Sequence, residues 1–177
     1  MKASGTRFVA HYRTPKGFDD LLMSSDGAAL TGLWFEGSPD AAKHTGDGIV
    51  RDLPVFHETA AWLDAYFAGH PPATCPRLHM DGLTPFRAAV VEEMRRIPFG
   101  RTLTYGEIAA CIAKRLGRER MSAQAVGGAV GWNPICILIP CHRVVGRGGV
   151  LVGYGGGLPN KAALIRHEAH VALAPLV

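Results

Sequence analysis

The sequence predicts an α+β chain in two parts: a small sheet domain over residues 1–83 and a helical domain with a helix-turn-helix over residues 84–177. Three observations lead there. Short apolar runs of strand type, separated by turn residues, occur mainly in the first half. Helical spacing behind good N-cap residues dominates the start of the second half. The charge also changes sign between them: residues 1–83 hold seven Lys/Arg and ten Asp/Glu, net −3, and residues 84–177 hold twelve and five, net +7. A chain of 177 residues that is 47% hydrophobic and 19% charged can bury a core and is neither disordered nor collagen-like.

Phe8 to Tyr12, Leu21 to Met23 and Leu30 to Trp34 read as three strands of an antiparallel meander, with Lys16-Gly17 and Asp26-Gly27 as turn chemistry between them. Gly37 to Gly48 is polar and reads as a loop. A helix follows from near Phe56, with Ala60, Leu63 and Phe67 largely along one side. His70, Pro71, Pro72 and Pro76 then interrupt regular structure and place the domain boundary in the stretch up to Leu83.

In the second half, Thr84 can cap a helix whose first-turn Pro85 sacrifices no hydrogen bond, and Phe86, Val90, Met94 and Ile97 keep helical spacing. Pro98-Phe99-Gly100 ends it. Thr104 with Glu107 three residues on is a capping box, ahead of an apolar stripe of Ile108, Cys111, Ile112 and Leu116. A basic connection through Arg118 and Arg120 reaches Ser122, an N-cap for the helix Ala123 to Val130, and the pair reads as a helix-turn-helix. The second helix is rich in Ala and Gly, so something approaches its backbone closely, either a neighbouring helix or a nucleic-acid backbone. So smooth a surface reads few base edges and suits recognition of shape and phosphate.

Cys75, Cys111, Cys136 and Cys141 include no CxxC spacing, which argues against structural zinc. Met1 to Gly17 lacks a signal-peptide apolar core and no run approaches the ~20 apolar residues of a membrane span, which predicts a cytoplasmic protein with reduced thiols and no membrane partner. Ile135 to Ile139 reads as a buried core strand that delivers Cys141 to its end. A thiol is nucleophilic as thiolate, which needs a base or a positive environment. His142 is adjacent and reaches the thiol through a bent backbone or a water, and Glu168 supplies a carboxylate to orient the imidazole. Cys75, Cys111 and Cys136 are assigned structural roles. His11, His44, His57, His70 and His79 have no partners at metal-ligand spacing, and His167-Glu168-Ala169-His170 spaces its histidines at i and i+3, unlike a zinc protease. Gly146-Arg147-Gly148-Gly149 and Gly153 to Gly157 fit neither GxGxxG nor GK[ST] and read as loop and pocket glycines.

Pro140-Cys141-His142-Arg143-Val144, with Asn133-Pro134 before it and Gly153-Tyr154 through Gly157 and Lys161 after it, resembles the O6-alkylguanine-DNA alkyltransferases, also called methylated-DNA-protein-cysteine methyltransferases. The likeness runs from Phe86 through Thr104-Tyr105-Gly106-Glu107 to His167-Glu168, and more loosely through Leu30 to Gly37. It implies a ribonuclease-H-like N-terminal domain and a winged-helix-like C-terminal domain that carries the activity. Cys141 is then the irreversible acceptor of an alkyl group from O6 of guanine, possible also for O4 of thymine, with His142 as base through a water and Glu168 orienting it. Asn133 holds the turn behind the site, and Tyr105 donates toward N3 of the leaving guanine. Without that likeness, Tyr105 is a packing residue and Asn133 a helix stop.

The resemblance further implies DNA contacts at Ser122, Gln124, Ala125, Gly128, Arg120 and Arg143, and a pocket from Val144, Val152, Tyr154, Gly155 and Gly156. The partner is double-stranded DNA containing O6-alkylguanine, the chain acts as a monomer, and no cofactor or metal is expected. One departure stands out. Most members carry an arginine in the recognition helix where this chain has Gln124, which predicts weaker DNA affinity or slower base extrusion, with Arg118, Arg120 or Gln124 itself as substitutes. A non-repairing module that recognises alkylated DNA is the alternative, although such relatives lack the acceptor cysteine; a thiol hydrolase is a distant third.

Overall fold

Strands β1 (Phe8–Tyr12), β2 (Leu21–Ser25) and β3 (Leu30–Phe35) pair antiparallel, Phe8 opposite Ser25 and Leu21 opposite Phe35, with a register irregularity at Ser24/Ser25. The structure, a computed structural model, describes residues 6–44 and 48–173. It divides into two units, one ending at Asp81 and the next beginning at Gly82. Together they make the α+β chain that the residue patterns predict.

In the first unit the sheet order is β3-β2-β1-β4, with β4 (Ile49–Val50) parallel to β1. The stretch from Gly37 to Gly48, expected as loop, instead includes the short helix α1 (Pro39–His44). Ser38 makes that start possible, its Oγ accepting from the Ala41 amide at 3.1 Å. Helix α2 (Pro54–Phe67) covers the sheet with Leu63 and Tyr66, both fully buried together with Leu21, Leu30, Leu33 and Phe35. The Tyr12 hydroxyl donates to Asp64 Oδ1 at 2.8 Å and ties β1 to that helix. Gly32 is required by contact, because a Cβ there would meet the Trp34 ring at 1.8 Å. The proline-rich stretch does not simply leave the unit: it returns to the sheet, where Leu30 N–H donates to Arg77 O at 2.8 Å and His79 N–H to Leu30 O at 2.9 Å.

The second unit begins with α3 (Pro85–Arg96), capped by Thr84 Oγ1, which accepts from the Arg87 amide at 3.2 Å. Strand β5 (Leu103–Thr104) leads directly into α4 (Tyr105–Arg115), whose capping box is complete: Glu107 N–H donates to Thr104 Oγ1 at 3.2 Å and Thr104 N–H to Glu107 Oε2 at 2.7 Å. Helix α4 ends in a Schellman turn at Gly117 (φ +61°), where Arg118 N–H bonds Ala113 O at 2.9 Å and Gly117 N–H bonds Lys114 O at 3.2 Å. Helix α5 (Ala123–Trp132) starts at Ser122, which caps the Ala125 amide at 3.2 Å. Helices α3, α4 and α5 pack on one another through Val90, Met94, Ile108, Ile112 and Val126, all fully buried. Strand β6 (Val144–Val145) pairs parallel with β5, and α6 (Leu158–Leu173) closes the unit. No helix of the described residues is long and apolar enough to cross a membrane.

Candidate active site and nucleic-acid interface

The expected core strand from Ile135 to Ile139 is not a strand. It is a buried turn in which Leu138 N–H bonds Cys136 O at 2.7 Å and Cys141 N–H bonds Ile139 O at 2.8 Å. Ile137 sits at φ +65°, the one non-glycine with positive φ among the described residues, a strained conformation for a β-branched side chain. Asn133 makes this arrangement affordable for the backbone: its Nδ2 donates to Ile135 O at 3.1 Å and Ile139 O at 3.0 Å, and its Oδ1 accepts from Ile135 N–H at 3.1 Å. An apolar run buried on all sides reads alike as strand or turn; the side chain that satisfies its polar groups decides between them.

The turn delivers Cys141 into a single 3₁₀ turn, Cys141–Arg143, with Cys141 6% exposed and His142 fully buried. His142 Nε2 lies 2.7 Å from Glu168 Oε1. Burial raises the Glu168 carboxyl, yet the hydrogen bonds from His142 and Arg143 and the charge of the Arg143 guanidinium outweigh it and hold Glu168 at about 2. Glu168 is therefore an acceptor only, and Nε2 carries the proton toward it. Burial pushes the His142 imidazole below its ordinary value against the pull of Glu168, so the ring is neutral at neutral pH and Nδ1 is its basic nitrogen.

Arg143 corrects an expectation. Expected on an exposed DNA-contacting surface, it is instead 8% exposed, donates from Nε and Nη2 to Glu168 at 2.9 and 3.0 Å, and gives Nη1 to Ile97 O at 2.7 Å. The Gly100 amide adds a fourth donor direction, reaching Glu168 Oε2 at 3.0 Å. Gly100 adopts φ +75° here, and a Cβ would stand 2.7 Å from Ala172 Cβ, so this end of α3 needs glycine to approach α6.

Tyr105, in the first turn of α4, is half-buried and its hydroxyl donates to Val152 O at 3.1 Å. Burial, and then negative charge at Cys141, raise the Tyr105 phenol, which keeps it a donor. Of the expected pocket residues, Val144 and Gly156 are buried, Val152 is 43% exposed, and Tyr154 and Gly155 lie between. Asn160 Nδ2 donates to Gly156 O at 2.8 Å. Lys161 belongs to the family resemblance, which implies no role for it. It is 1% exposed, its Nζ donates to the carbonyls of Val152 and Gly153 at 3.2 Å each, and the ring centroids of Tyr105 and Tyr154 lie 6.0 and 5.8 Å away. Burial lowers the Lys161 ammonium, and negative charge at Cys141 opposes that shift. The signal was available: Lys161, Leu164 and Glu168 share the inner face of α6 at i, i+3 and i+7.

Ser122, Gln124, Ala125, Gly128 and Arg120 are all exposed around α5. Gly128 and Gly131 of α5 do not serve internal packing, since a Cβ at either would meet nothing within 4 Å, whereas Gly127 lies against the Tyr105 ring. Among the other cysteines Cys136 is buried, but Cys111, expected on the apolar stripe, is exposed on α4. Three of the histidines without metal-ligand spacing have carboxylate partners: His79 with Asp26 at 2.8 Å, His11 with Glu36 at 2.5 Å and His57 with Asp52 at 2.5 Å. No cluster of metal-ligating side chains occurs among the described residues.

A sheet unit followed by a helix-turn-helix unit, with a cysteine-histidine-glutamate cluster in the latter, defines a DNA-binding class of thiol protein. Residues 85–170 match the family described as 6-O-methylguanine DNA methyltransferase, DNA binding domain. The methylated-DNA–protein-cysteine methyltransferase of Mycobacterium leprae is 38% identical over 156 residues, 88% of this chain and 90% of the relative. A variant of the Mycobacterium tuberculosis O6-methylguanine methyltransferase aligns with TM-score 0.76 and 35% identity, covering 97% of this chain and 98% of that one. The M. tuberculosis OGT in complex with DNA aligns with TM-score 0.72 and 34% identity, covering 91% and 93%. The chain belongs to the methylated-DNA–protein-cysteine methyltransferase family.

Proposed function

We propose that the chain repairs duplex DNA by moving an alkyl group from O6 of guanine to Sγ of Cys141, once per molecule. The observation that carries this reading is the Cys141-His142-Glu168 cluster, with its 2.7 Å imidazole–carboxylate bond, at the end of a turn pinned by Asn133. The thiol proton passes through a water to Nδ1 of His142. Sγ attacks the alkyl carbon; the S–C bond forms as the C–O6 bond breaks, and its electron pair stays on guanine. Tyr105 donates toward N3 of the leaving base, so that the thiol proton ends, in net, on guanine. The thioether is stable and the protein is consumed.

O6 of a paired guanine is stacked in the duplex, so the nucleotide must be extruded, at a cost of a few kcal/mol that is smaller at a damaged pair. The net +7 of residues 84–177 attracts phosphate, and the smooth outer surface of α5 allows close approach to a groove. We take Ser122, Gln124, Ala125, Gly128 and Arg120 as the DNA-facing set, and Val144, Val152, Tyr154, Gly155 and Gly156 as the pocket. One chain acts on one lesion as a monomer in the cytoplasm. A time course with O6-methylguanine duplex in molar excess tests this: repair plateaus at one lesion per chain, whereas continued turnover would identify a hydrolase and binding without repair a recognition module.

A further inference from the structure

The DNA-facing surface of α5 carries no charge, because the helix reads Ala-Gln-Ala-Val-Gly-Gly-Ala-Val-Gly-Trp. A cleft of about 820 Å3 opens beside it, bounded by Tyr105 and Glu107 of α4, Gln124 and Gly127 of α5, and Val152 in the loop. A nucleotide leaving the duplex for this cleft brings a phosphodiester with it, and burying that charge without a cation is costly.

Arg147 is the one cationic side chain lining the cleft. Glu107, its one carboxylate, is already engaged by Thr104 in the capping box. Arg147 is exposed and makes no ion pair or side-chain hydrogen bond among the described residues. Other arginines of this unit are committed: Arg96 and Arg115 to Glu92 and Glu93, Arg143 to Glu168, and Arg87 over the Trp132 ring. Arg147 also opens a hydrogen-bonded turn. Its 3₁₀ turn, Arg147–Gly149, is closed by Gly146 N–H bonding Val150 O at 2.7 Å, and Gly148 and Gly149 adopt φ +71° and +81°. The backbone thus places Arg147 on the lining of the cleft, and no carboxylate among the described residues competes for its guanidinium.

We propose that Arg147 is the phosphate ligand of the extruded nucleotide, supplying from the loop after Cys141 the positive charge that α5 lacks at Gln124. A planar fork of donors matches a phosphodiester in two-point contact. This role rests on the repair reading above.

The test compares wild-type protein with R147A and R147K on two probes, the free base O6-benzylguanine and an O6-methylguanine duplex, across a range of sodium chloride. Only the duplex offers a phosphate. For R147A the ratio of duplex rate to free-base rate falls about tenfold, in line with loss of one charged hydrogen bond. Its plot of log rate against log salt becomes shallower by about one unit, as removal of one phosphate contact requires. R147K recovers the salt slope but only part of the rate. An unchanged ratio and slope in R147A would overturn the assignment, as would an equal loss on both probes. Failure of the wild-type chain to be alkylated by either probe would overturn the repair reading itself and this role with it.

Discussion

The Tyr105 hydroxyl and Lys161 Nζ donate to the same acceptor, the Val152 carbonyl, at 3.1 and 3.2 Å. If Tyr105 turns to an incoming guanine, Lys161 still anchors the loop through Val152 and Gly153. The phenol can therefore change acceptor without freeing the pocket wall.

Tyr105→Phe removes the donor and leaves the ring. Methyl transfer from duplex slows by about a hundredfold, the lower range for a lost general acid, while affinity for undamaged duplex changes little. Single-turnover kinetics beside a binding titration measure both. A slowing of less than about twofold would remove Tyr105 from the proton path.

Glu168→Gln strands the Arg143 guanidinium without its counter-charge and puts an amide donor against other donors. The loss is about 3–5 kcal/mol of stability at neutral pH, with slower alkylation of Cys141. Urea unfolding and alkylation rates test this pair of effects.

The same two buried groups set the acid response. Glu168 moves from an ordinary 4.5 to about 2 in the folded chain. A depressed carboxylate contributes stability that is complete above the unfolded value and lost as pH falls through the folded one, here on the order of 3 kcal/mol. His142 is also depressed from 6.5, so the unfolded chain gains its proton first as pH drops, and stability begins to fall below that value. Stability therefore declines in two stages, a histidine stage starting near 6.5 and a carboxylate stage between 4.5 and about 2. Unfolding midpoints from pH 8 to pH 2, roughly spanning both stages, should show the gap between wild type and Glu168→Gln narrowing in the second. A constant gap would contradict the carboxylate assignment.

Much of this architecture is legible in the residues because local signals agree with the tertiary result. Thr84, Thr104 and Ser122 cap the helices they were expected to cap. What was not legible depends on contacts distant in sequence. Arg143 resembles a DNA contact until Glu168, twenty-five residues on, is folded against it. The run from Ile135 to Ile139 has strand composition but a turn's backbone, since Asn133 bonds both of its ends. Cys111 and Leu116 fall on an apolar stripe in sequence, yet both are exposed.

Asn133→Ala removes three hydrogen bonds to buried backbone and orphans the Ile135 N–H, while Ile135 O and Ile139 O keep the Ile139 and Cys141 amides; the cost is about 3 kcal/mol, and the strained Ile137 is released. Thermal unfolding reports the loss. Alkylation of Cys141 by O6-benzylguanine slows as the turn loosens, and a variant as reactive as wild type would show that the turn does not position the thiol.

Gln124→Arg places a cation on the exposed side of α5, near Arg147. Duplex affinity and repair rate rise, by about tenfold for one added phosphate contact, with a steeper salt dependence. Unaltered binding and repair would show that the neutral side chain is no deficit.

The most direct measurement is peptide mapping by mass after stoichiometric reaction with an O6-methylguanine duplex. A single methyl group should appear on the peptide holding Cys141, with Cys75, Cys111 and Cys136 unmodified even though Cys111 is the most accessible thiol. Methyl on any other cysteine, or complete repair with an unmodified Cys141, would contradict the assignment of Cys141 as the acceptor.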